Sequence, residues 1–328
     1  MSGGLTDVSG LLVGHATDLA GLTGCTAVLC PSGAVAGVEV RGWASGVAGL
    51  DLLDPRHLTD RIHGVVLAGG SAFGLEALFG AMAHLEAQGV GFATPGGLVP
   101  LVVGAILYDL ALGDPRARPD RAMGRQAAAA ATAGLVAEGS IGAGTGASVG
   151  KLFGMARAMK GGIGTASCRV GAATVGALVA VNALGDVRDP ATGALVAGAR
   201  DAPEGRRLVD SARALREGGA VPGFQATHTT IGLVATDARL TKTEAGLLAA
   251  LAHLGLAAVL SPPHTTVDGD TLFCLSTGDA RATLDALGLA AADCVAEAVL
   301  RGVRAATGLG GLPAWRDLRG RRPRDGEA

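Results

Sequence analysis

Polar residues at the ends of long apolar runs are the groups of this chain best suited to chemistry. They are Tyr108 in ILYD, Lys151 closing GASVGK, Asn182 closing LVAVN, the pair Thr229–Thr230, and Asp268 with Asp270 in DGDT. Taken singly, each also has an ordinary reading. Asn182 can be a turn residue ending a strand, DGD a hairpin turn, and the threonines plain β-formers. A calcium or magnesium loop at DGD has too few ligands in two carboxylates. Other chemistries fall away on motif grounds. GAGTGASVGK is not a phosphate-binding P-loop, because Leu152 stands where Ser or Thr must follow the lysine, and GVVLAGGSAFG lacks the G-x-G-x-x-G of a dinucleotide site. His15, His57, His63, His84, His253 and His264 are scattered, so a zinc site has no support, and no G-x-S-x-G nucleophile elbow is present. Neither a metal nor a cofactor is expected.

The elements that must position these groups follow from periodicity. LLVGHA, CTAVLC, AGVEVRG and GVVLAGG are short apolar runs separated by turns and predict strands. Leu75, Leu78, Phe79, Met82 and Leu85 then recur at three and four residues, predicting a helix that ends near Gly89. GLVPLVVGAILYDL is strand-like, and the alanine-rich stretch from Ala117 to Glu138 is helix-prone. Lys151 to Met159 is expected to be helical, which would put Lys160, nine residues on, about 180° from Lys151 and out of its pocket. A strand runs through GAATVGALVAVN. A polar stretch from Arg188 to about Phe224 is read as loop plus the short helix VDSARALREGG, and it leads into a strand whose Thr229, Ile231, Leu233 and Ala235 share one face. Thr241 and Glu244 have capping-box spacing ahead of a helix beginning near 242. HTTVDGDTLFCLSTG reads as loop then strand, and a last helix covers about Leu284 to Val303. Strands and helices in this order predict a layered α/β protein with no domain-sized linker.

Composition narrows the class further. The chain has 328 residues, enough for a sizeable core without cross-links, and its five cysteines have no paired spacing, so they read as buried thiols in a reduced compartment. No secretory signal precedes the first strand, and a cytoplasmic protein is expected. Apolar runs fall short of a membrane span. A formal net charge of -2 gives no general attraction for nucleic acid, and Arg316 to Ala328 is read as a solvated tail. With 54 glycines and only 3% aromatics, the chain suggests closely packed layers and a backbone-lined site.

The segments GLTDVSGLLVGHATD, GCTAVLCPSGAVAGVEVRG, VVLAGGSAFGLEA, GSIGAGTGASVGK, TTIGLVATDARLTK and HTTVDGDTLFCLSTG, in this order over residues 5 to 313, resemble the self-processing aminopeptidases of family S58. This is the L-aminopeptidase/D-esterase family, which includes β-aminopeptidases and nylon-oligomer hydrolases. The resemblance implies a four-layer αββα sandwich, with two sheets covered by helices. It implies one catalytic domain, 1–328, cut between His228 and Thr229 into chains 1–228 and 229–328, with 314–328 as a flexible tail. It also implies a homo-oligomer, usually a tetramer, and hydrolysis of small peptides, amino-acid amides or esters.

Within that resemblance Thr229 is the nucleophile, and the cut supplies its base: an α-amine with a reference pKa near 7.7–8 beside the same residue's hydroxyl. Lys151 would stand near the nucleophile, Asn182 would donate its amide to the oxyanion, and Tyr108 would add a hydroxyl. Asp268 and Asp270 would hold Lys151 and the threonine amine, and their retention as DGD resembles the Thr-nucleophile branch. Two positions depart from the family pattern. His228 replaces the usual Asn before the nucleophile, and Trp43 breaks the usual RGG, either narrowing a cleft or filling a gap between subunits. Two alternatives stand beside this reading: an acyltransferase of the ornithine acetyltransferase type, and an uncleaved scaffold or small-molecule binder.

Overall fold

The computed structural model describes residues 3–219 and 228–319. Its main sheet contains nine strands: β1 (Leu12–Asp18), β2 (Thr23–Gly42), β3 (Val47–Ala48), β4 (Arg61–Ala68), β5 (Val102–Ile106), β6 (Gly162–Val170), β7 (Ala173–Val181), β8 (Ile231–Ala238) and β9 (Gly269–Ala280). Their order is β6-β7-β8-β9-β2-β4-β5-β3, with β1 also on β2. The pairs β8–β9 and β4–β5 are parallel and the other pairings antiparallel.

One strand makes two layers out of this sheet. β2 is 20 residues long; its first half pairs with β1 and β4, and its second half with β9. The register against β4 slips between Leu29 and Ala34, where Gly33 takes φ +77°, a left-handed conformation that suits glycine at such a bulge. The two halves then serve different layers. Alternation along the strands sorts side chains into three apolar cores. Ala27 and Leu29 of β2, with Val66 of β4, face α1 (Glu76–Ala87) and α2 (Arg121–Ala129). Val28, Leu178, Ile231, Leu233 and Phe273 meet between the two sheet layers. Val179, Val234 and Cys274 face α3 (Lys242–Val259) and α4 (Leu284–Ala305). Helices, sheet, sheet and helices thus form the expected four-layer αββα sandwich. Phe273 is fully buried in the middle core. Phe273→Ala is expected to lower stability by about 3–5 kcal/mol, measurable as a drop in the urea midpoint at unchanged m-value.

Local sequence explains where the helices begin. Thr241 and Glu244 form the anticipated capping box at α3, and Asp120 and Thr283 cap α2 and α4 through their side chains. By length and composition α3 is apolar enough to cross a membrane, beyond what the sequence suggested; here it lies on β2 and β9 and packs against α4. The alanine-rich helix is shorter than expected. It stops at Ala129 because Thr132 is drawn into a two-way backbone pairing with Val13 of β1. Helix is also absent from 151–159. Gly154, at φ +85°, and a single 3-10 turn at Met155–Arg157 replace it, and Lys160 ends on a short strand paired with Ser148–Val149. Within the expected tail, Trp315–Arg319 form a short helix with Trp315 packed on the core. Residues 220–227, where the polar stretch from Arg188 to about Phe224 ends, and 320–328 lie outside the described residues.

Candidate active site

Strands β7, β8 and β9 end at one edge of the sheet, and the residues just beyond them converge. The His228–Thr229 peptide lies between its neighbours as an extension of the ladder. On one side the Thr229 amide donates to the Asn182 carbonyl (3.0 Å), directly after β7. On the other side the Gly269 amide, at the start of β9, donates to the His228 carbonyl (3.0 Å), and Thr271 N donates to the Thr230 carbonyl (3.0 Å). The Thr229 hydroxyl donates to the same His228 carbonyl at 2.5 Å. His228, Thr229 and Thr230 are all buried, which is unusual for a chain segment preceding a strand.

Lys151 stands beside this peptide. Its Nζ donates to the Asn182 backbone carbonyl (2.9 Å) and to Asn182 Oδ1 (2.8 Å), so the ammonium and the Thr229 amide share one acceptor. The lysine follows Gly150, at φ +71°, where an added Cβ would lie 2.0 Å from Ala199 N; only glycine fits that approach. Burial pulls the Lys151 pKa down to about 7, against the attraction of Asp268 and with a further push from Lys160. Burial and the neighbouring Asp270 raise Asp268 to about 6. A lysine and a carboxylate drawn towards each other's range near neutrality suit proton transfer.

Asn182 is fixed from three directions. Its Oδ1 also accepts from Ser148 N (3.0 Å) and Ser148 Oγ (3.3 Å), and its Nδ2 donates to the Tyr108 carbonyl (3.0 Å). Tyr108 therefore meets Asn182 through its backbone oxygen rather than its hydroxyl, and the His228 carbonyl oxygen is held by Gly269. The two carboxylates are also placed differently from expectation. Asp270 Oδ1 accepts from Thr230 N (2.7 Å), one residue past Thr229, and its Oδ2 accepts from His264 Nδ1 (2.8 Å). Asp268 Oδ2 accepts from Thr265 N (2.9 Å) and Thr265 Oγ1 (2.5 Å), while its charge acts on Lys151. DGD is thus a strand start whose carboxylates are engaged by protein groups, not a cation loop.

His228 is buried, and burial followed by the Lys151 charge lowers its pKa to about 2, so its imidazole is neutral. It lines a recess with room for about 30 Å³, together with Tyr108, Leu112, Lys151 and Met155. A larger open hollow of about 680 Å³ lies by Arg61, Arg239 and Lys242 and shares no residue with this site. Trp43 is 83% exposed, although its neighbours Gly42 and Ala44 pair with Gly269 and Asp268. Sequence reasoning missed Ser148, Gly269, His264 and Lys160. His264 stands six residues before Asp270 and Ser148 three before Lys151, both inside quoted motifs, yet a serine or histidine in a loop carries no signal of its partner.

The four-layer sandwich is of the N-terminal-nucleophile hydrolase type of fold. More particularly, the chain belongs to peptidase family S58, whose model matches residues 4–314. It is a self-processing enzyme of the S58 aminopeptidase and amidase type. An uncharacterized aminopeptidase of Mycobacterium tuberculosis (strain ATCC 25618 / H37Rv) is 40% identical over 345 residues, covering 96% of this chain and 97% of the relative. A 6-aminohexanoate-oligomer endohydrolase of Kocuria sp. (strain KY2) is 34% identical over 317 residues, covering 91% of this chain and 85% of that one. In fold, the chain matches the L-aminopeptidase D-Ala-esterase/amidase of Ochrobactrum anthropi with a TM-score of 0.71 at 24% identity, over 94% of this chain and 88% of the other.

Proposed function

We propose that Thr229 is the nucleophile of both reactions, first on its own chain and then on substrate. The observation that carries this is the Thr229 hydroxyl 2.5 Å from the oxygen of the preceding carbonyl. In the precursor, Thr229 Oγ adds to the His228 carbonyl carbon and gives up its proton to neutral Lys151. The oxygen that becomes negative keeps its hydrogen bond from Gly269 N–H. The C–N bond then breaks, the Thr229 nitrogen takes a proton from Lys151, and an ester joins His228 to Thr229 Oγ. Water opens that ester and leaves a free α-amine next to the hydroxyl. In the mature enzyme this amine is the base, Oγ attacks the substrate amide, and the acyl-enzyme is hydrolysed.

Asn182 supports this reading as a carrier of donors and acceptors on both sides of Lys151, and Asp268 and Asp270 as the carboxylates that orient Lys151 and the threonine backbone. For substrate we propose short peptides, amino-acid amides or esters that lose their N-terminal residue, with the acyl part entering the recess beside Tyr108, Leu112 and Met155 once His228 has moved away as a new C-terminus. The endohydrolase activity named for the Kocuria relative makes ω-amino-acid oligomers a second substrate class to assay. Exposed apolar side chains such as Trp43 and Phe79 support a homo-oligomer, in our reading a tetramer. Intact-mass analysis with N-terminal sequencing tests the central claim. Two chains should appear, summing to the precursor plus one water, with the smaller beginning at Thr229; an uncut chain that hydrolyses amides would refute it.

A further inference from the structure

Besides Lys151, a second lysine is sealed inside this part of the molecule. Lys160 is 0% exposed and its Nζ donates to two backbone carbonyls, of Thr145 (2.7 Å) and Ala147 (2.6 Å). Nearby, Asp109 is 4% exposed; its Oδ1 accepts from Gly70 N (2.6 Å) and its Oδ2 from Thr23 Oγ1 (2.7 Å). Burying an ammonium is costly unless a countercharge and hydrogen bonds offset it. Asp109 supplies the charge, and the carbonyls of Thr145 and Ala147, the latter also bonded by Gly161 N, supply the acceptors. Nothing in the proposed chemistry uses Lys160 directly, so its burial needs another reason.

The two segments this pair grips are those that hold Asn182. Tyr108, next to Asp109, gives its carbonyl to Asn182 Nδ2, and Ser148, next to Ala147, gives its amide and hydroxyl to Asn182 Oδ1. Gly146 lies against Asp109, where an added Cβ would come within 2.4 Å of Oδ2. We propose that Lys160, with Asp109, is a positioning residue for the reaction: it clamps the 108–109 and 145–148 segments around the Asn182 amide and sets the charge environment of Lys151. This rests on the Thr229 and Lys151 reading above.

Charge bears on the same point. Lys151 feels Asp268, Asp109 and Asp270 as attractive and Lys160 as repulsive, and neutral His228 stands alongside. Lys160 itself is pulled down to about 7 by burial, against the attraction of Asp109. A like charge disfavours the protonated form, so removing Lys160 raises the Lys151 pKa, and the neutral base is then reached only at higher pH.

The test compares Lys160→Met with the charge-balanced double variant D109N/K160M, since the single change leaves a buried carboxylate uncompensated and can unfold the chain. Precursors made by cell-free translation are followed by intact mass for the rate of self-cleavage across pH, with thermal melting as the fold check. Mature enzyme is then assayed on an amino-acid anilide. The double variant should melt near the parent temperature, yet cleave itself and turn over between about ten- and a hundredfold more slowly at little-changed KM. In Lys160→Met, which keeps Asp109, the cleavage profile should also shift to higher pH. A folded double variant with parental cleavage rate and kcat overturns the proposal, as does a loss of kcat/KM that lies wholly in KM. If the parent precursor itself fails to cleave, the self-processing reading fails instead.

Discussion

Replacing Thr229 by alanine is expected to leave a single uncut chain with amide hydrolysis reduced by at least about 10⁴-fold. Of the two described groups on the His228 carbonyl, the hydroxyl can form a bond to its carbon, whereas Gly269 N–H can only polarise it. Alanine keeps the backbone bonds to Asn182 and Gly269, and the side chain lost is a small buried one, so the variant should fold with a melting temperature close to the parent. Thr229→Ser retains the oxygen and should both mature and turn over. Denaturing mass spectrometry and an amide-release assay on the three proteins check this together. Maturation of the alanine variant would remove Thr229 from the mechanism, and failure of the serine variant would show that the β-methyl, not the hydroxyl alone, is needed.

The second large effect concerns Lys151. Lys151→Met should slow self-cleavage by about 10²–10⁴-fold, because the precursor has no α-amine at position 229 and Lys151 is its proposed base. The parent rate should rise with pH through about 7, since the active form is the neutral amine and acid protonates it. The Met variant should lack that rise. Lys151→Arg separates base from charge: a guanidinium keeps the cation but does not lose its proton at any working pH, so it should mature as poorly as methionine. Parental maturation in the arginine variant would make Lys151 an electrostatic group and leave the base to be found elsewhere, with Asp268, raised to about 6, the next group to test.

His228 bears on both experiments. Its departure from the usual asparagine does not alter the carbonyl proposed to be attacked, because His228 lines the recess by Tyr108 and Met155 while its backbone stays in the ladder. The attacked group belongs to the main chain, and the strands on either side fix it whatever side chain precedes Thr229.

How much of this was legible in the residues themselves varies by element. The capping box at Thr241 and the three- and four-residue spacing before Gly89 identified α3 and α1, since a helix start and an apolar helix face are both written locally. The residues from 151 to 159 misled for the opposite reason. Their composition suits a helix, but Gly150 and Gly154 take left-handed conformations and the pairing of Lys160 with Ser148 wins. That tertiary preference reversed the inference about Lys160: the assumed helix would have turned it away from Lys151, and the strand brings it into the same buried region.

The chain alone determined the class of fold, the family resemblance and the identity of Thr229, Lys151, Asn182, Asp268 and Asp270 as the groups to watch, because periodicity and motif order are properties of neighbouring residues. Only the folded sheet decided what each of them touches. Asn182, Thr229 and Gly269 are far apart in sequence and meet because β7, β8 and β9 end side by side. Hydrogen bonds between strand ends depend on register, which no single segment encodes.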